Sequence, residues 1–192
     1  MITIAALSGS LRQASYNSAL LRAAATLGPN GVSIEIASIR DIPLYDGDLE
    51  LSSGLPAAVS ELKAIIANAD GLLLATPEYN NSIPGVMKNA IDWLTRPAAD
   101  IPQVFGGLPV AVIGTSPGGF GTVMAQAAWL PVLRALGTYQ WFGRRLLVPR
   151  AGQVFDESMS VADADVREQL RAFIAGFCEF VQASVRHSAR RA

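Results

Sequence analysis

The stretch Ile2-Thr3-Ile4-Ala5-Ala6-Leu7-Ser8-Gly9-Ser10-Leu11-Arg12-Gln13-Ala14-Ser15-Tyr16-Asn17-Ser18 decides how this chain is read. It opens as a short apolar run, breaks at Ser8-Gly9-Ser10, and passes into Leu20, Leu21, Ala24, Ala25 and Leu27 at helical spacing. A buried strand, a polar turn and a helix in that order make the first half of a βαβ unit. Gly28-Pro29-Asn30-Gly31 ends the helix, and residues 32–37 supply a second strand.

The alternation continues to the end of the chain. A loop rich in Pro, Gly and Ser spans residues 38–54, and Pro56 suits the first turn of a helix facing inward through Val59, Leu62, Ile65, Ile66 and Ala69. Residues 71–75 read as a third strand. Ser82 is expected to cap a helix with Pro84 in its first turn and Val86, Met87, Ala90, Ile91 and Leu94 inward. Residues 109–114 read as a fourth strand and 122–136 as a helix kinked at Pro131, which lacks an N–H for the ladder. A weaker fifth strand is expected at 144–148 and a closing helix at 163–184, with residues 185–192 as a flexible tail. No linker, repeat or low-complexity tract divides the chain, so residues 1–192 are expected to form a single domain. Repeated βα units without hairpin signals predict a parallel sheet covered by helices on both faces.

Composition narrows the function. Of 192 residues 51% are apolar and 16% charged, which excludes disorder and supplies a core burying roughly 70% of the unfolded surface. Lys+Arg 15 against Asp+Glu 16 leaves a net charge of −1, so no nucleic-acid or anionic-membrane footprint is expected. One cysteine (Cys178) and one histidine (His187) cannot make a disulfide or a His/Cys metal site within one chain. Cys178 falls in the apolar period of Phe173, Ile174, Phe177 and Val181, which reads as packing. With neither a basic leader nor a membrane-length apolar run, a cytoplasmic location is expected.

In the commonest order for five such strands, 2-1-3-4-5, the winding direction reverses between the first and third strands and opens a crevice at their carboxyl ends. Three polar loops converge there. The first carries Ser8, Ser10, Arg12, Ser15, Asn17 and Ser18 before a helix N-terminus, a set that suits a phosphate monoester. Ser15 or Asn17 as a helix cap accounts for part of this set but not for the further Ser and the Arg. No P-loop motif is present. The second loop, Thr76-Pro77-Glu78-Tyr79-Asn80-Asn81, is stiffened by prolines and suits the polar edge of a flat heterocycle. The third, Thr115-Ser116-Pro117-Gly118-Gly119-Phe120-Gly121, lets a planar ligand approach the backbone, with N–H groups at the following helix start available to negative charge.

Gly114-Thr115-Ser116-Pro117-Gly118 also fits the G-x-S-x-G elbow of serine hydrolases. Pro117 stands where an oxyanion-hole N–H is required and has none, which weighs against Ser116 as a nucleophile. The Gly119-Phe120-Gly121 run is followed by Met124 rather than a third glycine and comes after the fourth strand, unlike a dinucleotide fingerprint.

Gly9-Ser10-Leu11-Arg12 with Ser15 and Asn17, Pro77-Glu78-Tyr79-Asn80 with Ser82-Ile83-Pro84-Gly85, and Ser116 with Gly118-Gly119 resemble the NADPH-dependent FMN reductase family. Val148-Pro149-Arg150-Ala151 and Phe155-Asp156-Glu157 extend the resemblance toward the end. It implies a flavodoxin-like α/β fold, noncovalent FMN, and NADPH or NADH as co-substrate. It also implies electron transfer through the flavin to quinones, azo compounds, metal oxyanions or free flavin, with no catalytic side chain and no metal. By the same resemblance Ser10, Arg12, Ser15, Asn17 and Ser18 surround the FMN phosphate. Pro77, Glu78, Tyr79 and Asn80 line the isoalloxazine, with Ser116, Gly118 and Gly119 along its other side. A flavin carrier or sensor without turnover is the rival, against which the small net charge argues. A homodimer or homotetramer is expected, from the resemblance and from Trp93, Trp129, Leu130, Tyr139, Trp141 and Phe142 as an apolar excess near the crevice.

Overall fold

The computed structural model describes residues 1–189, with side chains to residue 184. β1 (Ile2–Ser8), α1 (Tyr16–Leu27) and β2 (Val32–Ala37) form the first unit, followed by α2 (Gly47–Ser53), α3 (Ala57–Ala67), β3 (Gly71–Ala75) and α4 (Gly85–Leu94). After a 3₁₀ turn at Ala98–Asp100 come α5 (Ile101–Val104), β4 (Pro109–Thr115), α6 (Val123–Ala135), β5 (Tyr139–Gln140), β6 (Leu147–Val148), α7 (Ala151–Val154) and α8 (Ala164–Ala189). All the strands pair in parallel, in the order β2-β1-β3-β4-β5, with β6 also bonded to β4. This is the doubly wound, flavodoxin-like topology, and its switch point lies between β1 and β3.

Strand alternation assigns the two cores. Ile4, Ala6, Leu73, Ala75, Ala111 and Ile113 face α1 and α8, where Leu20, Phe173 and Phe177 fill the layer. Ala5, Leu7, Leu72, Leu74 and Val110 face α3, α4 and α6 through Leu62, Met87 and Trp129. Both faces of the central strands are therefore apolar, as a parallel sheet requires. Cys178 packs in the first layer, and burial pushes its thiol up to about 11, so it is a packing group with little thiolate at neutral pH.

Four local expectations are corrected. The fifth strand is not a single run at 144–148: β5 pairs with the start of β4 and β6 with its end. Between them Trp141 still donates its N–H to the Val110 carbonyl at 2.8 Å, while its ring packs edge-on against Phe173 and tilted against Phe177, with ring centroids 4.8 and 5.8 Å apart. Ser82 does not cap α4; it forms a two-residue hairpin bridge with Tyr79, and Pro84 takes the cap position without a side-chain bond. The 38–54 loop contains α2, capped by the Asp46 carboxylate on the Asp48 N–H; none of its residues is buried, so it has no apolar period to read. The closing helix runs on to Ala189. Of the expected tail, the backbone of 185–189 belongs to α8, while residues 190–192, the Arg190–Arg191 pair included, and the side chains of Arg186 and His187 lie outside the described residues.

The strand ends that meet at the switch point are drawn close together. The Gly9 N–H donates to the Ala75 carbonyl at 2.9 Å and the Thr76 N–H to the Ile113 carbonyl at 2.9 Å. Gly114 is buried where a Cβ would collide with Thr122 Oγ1 and the Thr76 carbonyl oxygen, and one at Gly9 would stand 2.7 Å from Met87 Sδ. Because the Thr76 oxygen is backbone in a central strand junction, relief requires moving β3 against β4. Gly114→Ala is therefore expected to cost about 1–3 kcal/mol in urea unfolding. An unchanged midpoint would show that the junction is looser than this packing implies.

Candidate active site

The first loop is a scaffold of short polar contacts. Ser15 caps α1, accepting from the Ser18 N–H at 3.2 Å. Ser18 Oγ donates to Ser8 Oγ at 2.8 Å, Ser8 Oγ accepts from the Ser10 N–H, and Ser10 Oγ accepts from the Arg12 N–H. Ser10 and Ser15 each keep a hydroxyl proton to donate, and the first N–H groups of α1, on Tyr16 and Asn17, have no partner among the described residues. Arg12 is exposed and makes no ion pair among the described residues.

Asn17 holds a different position from its loop neighbours. Its side chain is buried, donating from Nδ2 to the Thr115 carbonyl at 2.9 Å and accepting at Oδ1 from the Thr115 N–H at 3.0 Å. The amide is thus spent on the end of β4, and only the Asn17 backbone N–H remains for a ligand.

The second loop turns on Asn80 and Asn81, both in the left-handed region at φ 50 and 60. These values at two consecutive positions make a tight type I′-like turn, which asparagine tolerates. The bridge Tyr79 N–H to Ser82 carbonyl at 3.2 Å and its reciprocal at 3.1 Å close the turn, holding Tyr79 outward at 45% exposure. Pro77 is buried below it.

Glu78 overturns one expectation about the third loop. Its carboxylate accepts from the Met124 N–H at 2.7 Å and the Ala125 N–H at 3.0 Å. The start of α6, whose N-cap Thr122 makes no side-chain cap bond, is therefore already occupied by an acid and is not a free anion site. What the third loop leaves open are the N–H groups of Gly118 and Gly119, unpartnered among the described residues, and empty space where a Gly119 Cβ would be.

Ser116 is committed to structure. Its hydroxyl donates to the Gly121 carbonyl, its N–H donates to the Val148 carbonyl, and its carbonyl accepts from Ala151. A hydroxyl engaged this way, followed by Pro117, is not an activated nucleophile. Among the described residues no three His, Cys, Asp or Glu side chains cluster as a metal site.

One residue at this site escaped the sequence reading. Arg40, beyond β2, donates from a guanidinium nitrogen to the Leu11 carbonyl of the first loop. A single Arg in an irregular loop carries no periodic or motif signal, so only the fold reveals it.

Ser10, Arg12, Ser15, Asn17 and Ser18 thus lie on the loop after β1, Pro77 to Asn80 on the loop after β3, and Ser116, Gly118 and Gly119 on the loop after β4. Asn17–Thr115 and Glu78–Met124 tie the three together. The model of the NADPH-dependent FMN reductase family matches residues 2–153. An NAD(P)H-dependent FMN reductase of Pseudomonas aeruginosa is 43% identical over 170 residues, 88% of this chain and 90% of its own. A 2-hydroxy-1,4-benzoquinone reductase of a Burkholderia species is 37% identical, covering 94% of this chain and 97% of its own. Among solved structures, the flavoenzyme NAD(P)H:acceptor oxidoreductase FerB of Paracoccus denitrificans superposes with a TM-score of 0.85 at 34% identity, over 96% of this chain and 99% of that one. With the family model spanning most of the sequence and relatives this similar over nearly their whole length, the chain belongs to the NADPH-dependent FMN reductase family.

Proposed function

We propose that this chain is an FMN-dependent reductase that draws electrons from NAD(P)H and passes them to quinones. The observation that carries the reading is the pair of unpartnered α1 N–H groups, beside free Ser10 and Ser15 hydroxyls and the exposed Arg12, at a doubly wound switch point. That donor set fits a phosphate monoester, as FMN has, and the three-loop crevice beyond it fits a planar ring system. Membership of the FMN reductase family and relatives named as quinone reductases support both the cofactor and the acceptor class.

FMN, when bound, supplies the redox chemistry between nicotinamide and acceptor. The residues of the chain bind and orient it. Ser10, Arg12, Ser15 and the N–H groups of Tyr16 and Asn17 hold the phosphate. Ser18 and the Asn17 amide fix the loop from behind through Ser8 and Thr115. Pro77, Glu78, Tyr79 and Asn80 form one wall for the ring, rigid because the turn is bridged and Glu78 is tied to α6. Ser116 sets the opposite loop, whose Gly118 and Gly119 N–H groups have no partner among the described residues and are suited to hold negative charge on the ring. No side chain is assigned a proton-transfer role.

The same reading covers assembly and location. Trp93 and Trp129 are fully buried in their own chain, so they are not the face of an oligomer, while the half-buried Trp141 packs on α8. Leu130, Tyr139 and Phe142, the last 71% exposed, remain apolar and outward beside a cavity of about 170 Å³ between α6 and the β5–β6 segment. We assign a homo-oligomeric contact to this surface. No helix of the described residues is long and apolar enough to cross a membrane, and we place the enzyme in the cytoplasm.

Two measurements test the reading. Arg12→Ala should weaken FMN roughly 10- to 100-fold, the loss of a charge-assisted bond of about 1.5–3 kcal/mol, while riboflavin binding barely changes. Equal weakening of both flavins in a fluorescence titration removes Arg12 from the phosphate. If nicotinamide and quinone share one flavin face they must take turns, and initial-rate plots should give parallel lines. Intersecting lines would mean that both are bound at once.

A further inference from the structure

Arg40 stands at the first loop from outside it. It follows Ile39, which is 4% exposed and anchored in the same apolar layer that Leu11 packs against. Its own N–H donates to Ser38 Oγ at 3.1 Å, a local turn that fixes the backbone from which the side chain leaves. The guanidinium then bonds the Leu11 carbonyl at 2.5 Å. No carboxylate pairs with Arg40 among the described residues, although Asp41 is next in sequence, so its charge is not neutralised by the protein.

The stretch it holds is the least supported part of the loop. Arg12, Gln13 and Ala14 are all exposed, and among the described residues the one side-chain bond to their backbone is that of Ser10 to the Arg12 N–H, at 3.4 Å. Leu11 is the hinge between this stretch and the scaffold of serines. A guanidinium on its carbonyl fixes the peptide from which Arg12 projects and adds a second positive charge to a loop whose own sequence carries one. Lysine could supply the charge, but its ammonium is a point donor on a flexible stem and lacks the planar fork that holds a bond in one direction.

Building on the phosphate-site reading above, we infer that Arg40 is a positioning residue of that site: it fixes the Leu11–Arg12 peptide for phosphate binding and strengthens the attraction of the loop for a phosphate dianion. Its effect is confined to flavins that carry a phosphate. It should also be sensitive to ionic strength, since an exposed charge is screened by salt.

The test compares FMN and riboflavin on Arg40→Ala, Arg40→Lys and Arg12→Ala, each at low and high salt. Riboflavin binding reports that the site is folded in every variant. Arg40→Ala should weaken FMN about tenfold with riboflavin changed less than about twofold, and flatten the salt dependence of FMN binding. Arg40→Lys should keep the salt dependence and recover only part of the affinity. If Arg12→Ala discriminates FMN from riboflavin and Arg40→Ala does not, the Arg40 inference is overturned and the phosphate site stands. Should neither variant discriminate, the phosphate site itself is misplaced and the inference falls with it. A loss of both flavins in Arg40→Ala, with both retained in Arg40→Lys, also overturns it, because the residue would then be serving the fold alone.

Discussion

The site depends on one buried amide. Asn17 gives its donor and its acceptor to the backbone of one residue, Thr115, and so pins the start of α1 to the end of β4 across the switch point. Left without that partner, the Thr115 N–H and carbonyl would be buried polar groups at a cost of about 1–3 kcal/mol. The clamp sets the distance between the phosphate loop and the glycine loop, and the bare Cα of Gly114 lets Thr122 and Thr76 close in beside it. On the proposed reading, both ends of a bound flavin would refer to this single clamp.

The two helix starts at the crevice have opposite assignments. α1 presents free N–H groups among serine hydroxyls, with Arg12 in the loop and Arg40 bonded to it, so its end of the crevice is cationic and rich in donors. The start of α6 is filled by the Glu78 carboxylate, so its dipole is already answered by a protein acid. On the proposed reading, that asymmetry would direct an anionic phosphate to one end and leave the ring to the second and third loops. Such an asymmetry suits a cofactor with a charged tail and a planar head.

Much of this was legible from residue order. The apolar runs at 2–7, 71–75 and 109–114 name the central strands because both faces are buried, which gives continuous rather than alternating hydrophobicity. The three loops were visible because serine, proline and glycine cluster where a ligand meets backbone. What stayed hidden shares a physical cause: it rests on partners distant in sequence. The bond of Glu78 to the start of α6 and the clamp of the Asn17 amide on Thr115, 98 residues away, have no local signature. Arg40 gave no signal at all. The edge strand is not one run because β5 pairs with the start of β4 and β6 with its end, and the Trp141 ring between them packs on the α8 aromatics, a tertiary contact that local pattern does not encode. α2 escaped because a helix that buries nothing carries no period.

The central claim is spatial: the loops after β1, β3 and β4 together form the flavin site. Hydrogen–deuterium exchange of the apoprotein with and without saturating FMN addresses it directly. Protection should appear in the three loops, residues 8–18, 76–82 and 115–121, and strongest at the start of α1, where the Tyr16 and Asn17 N–H groups gain an acceptor. Protection centred instead on the cavity between α6 and the β5–β6 segment, with the start of α1 unchanged, would contradict the account.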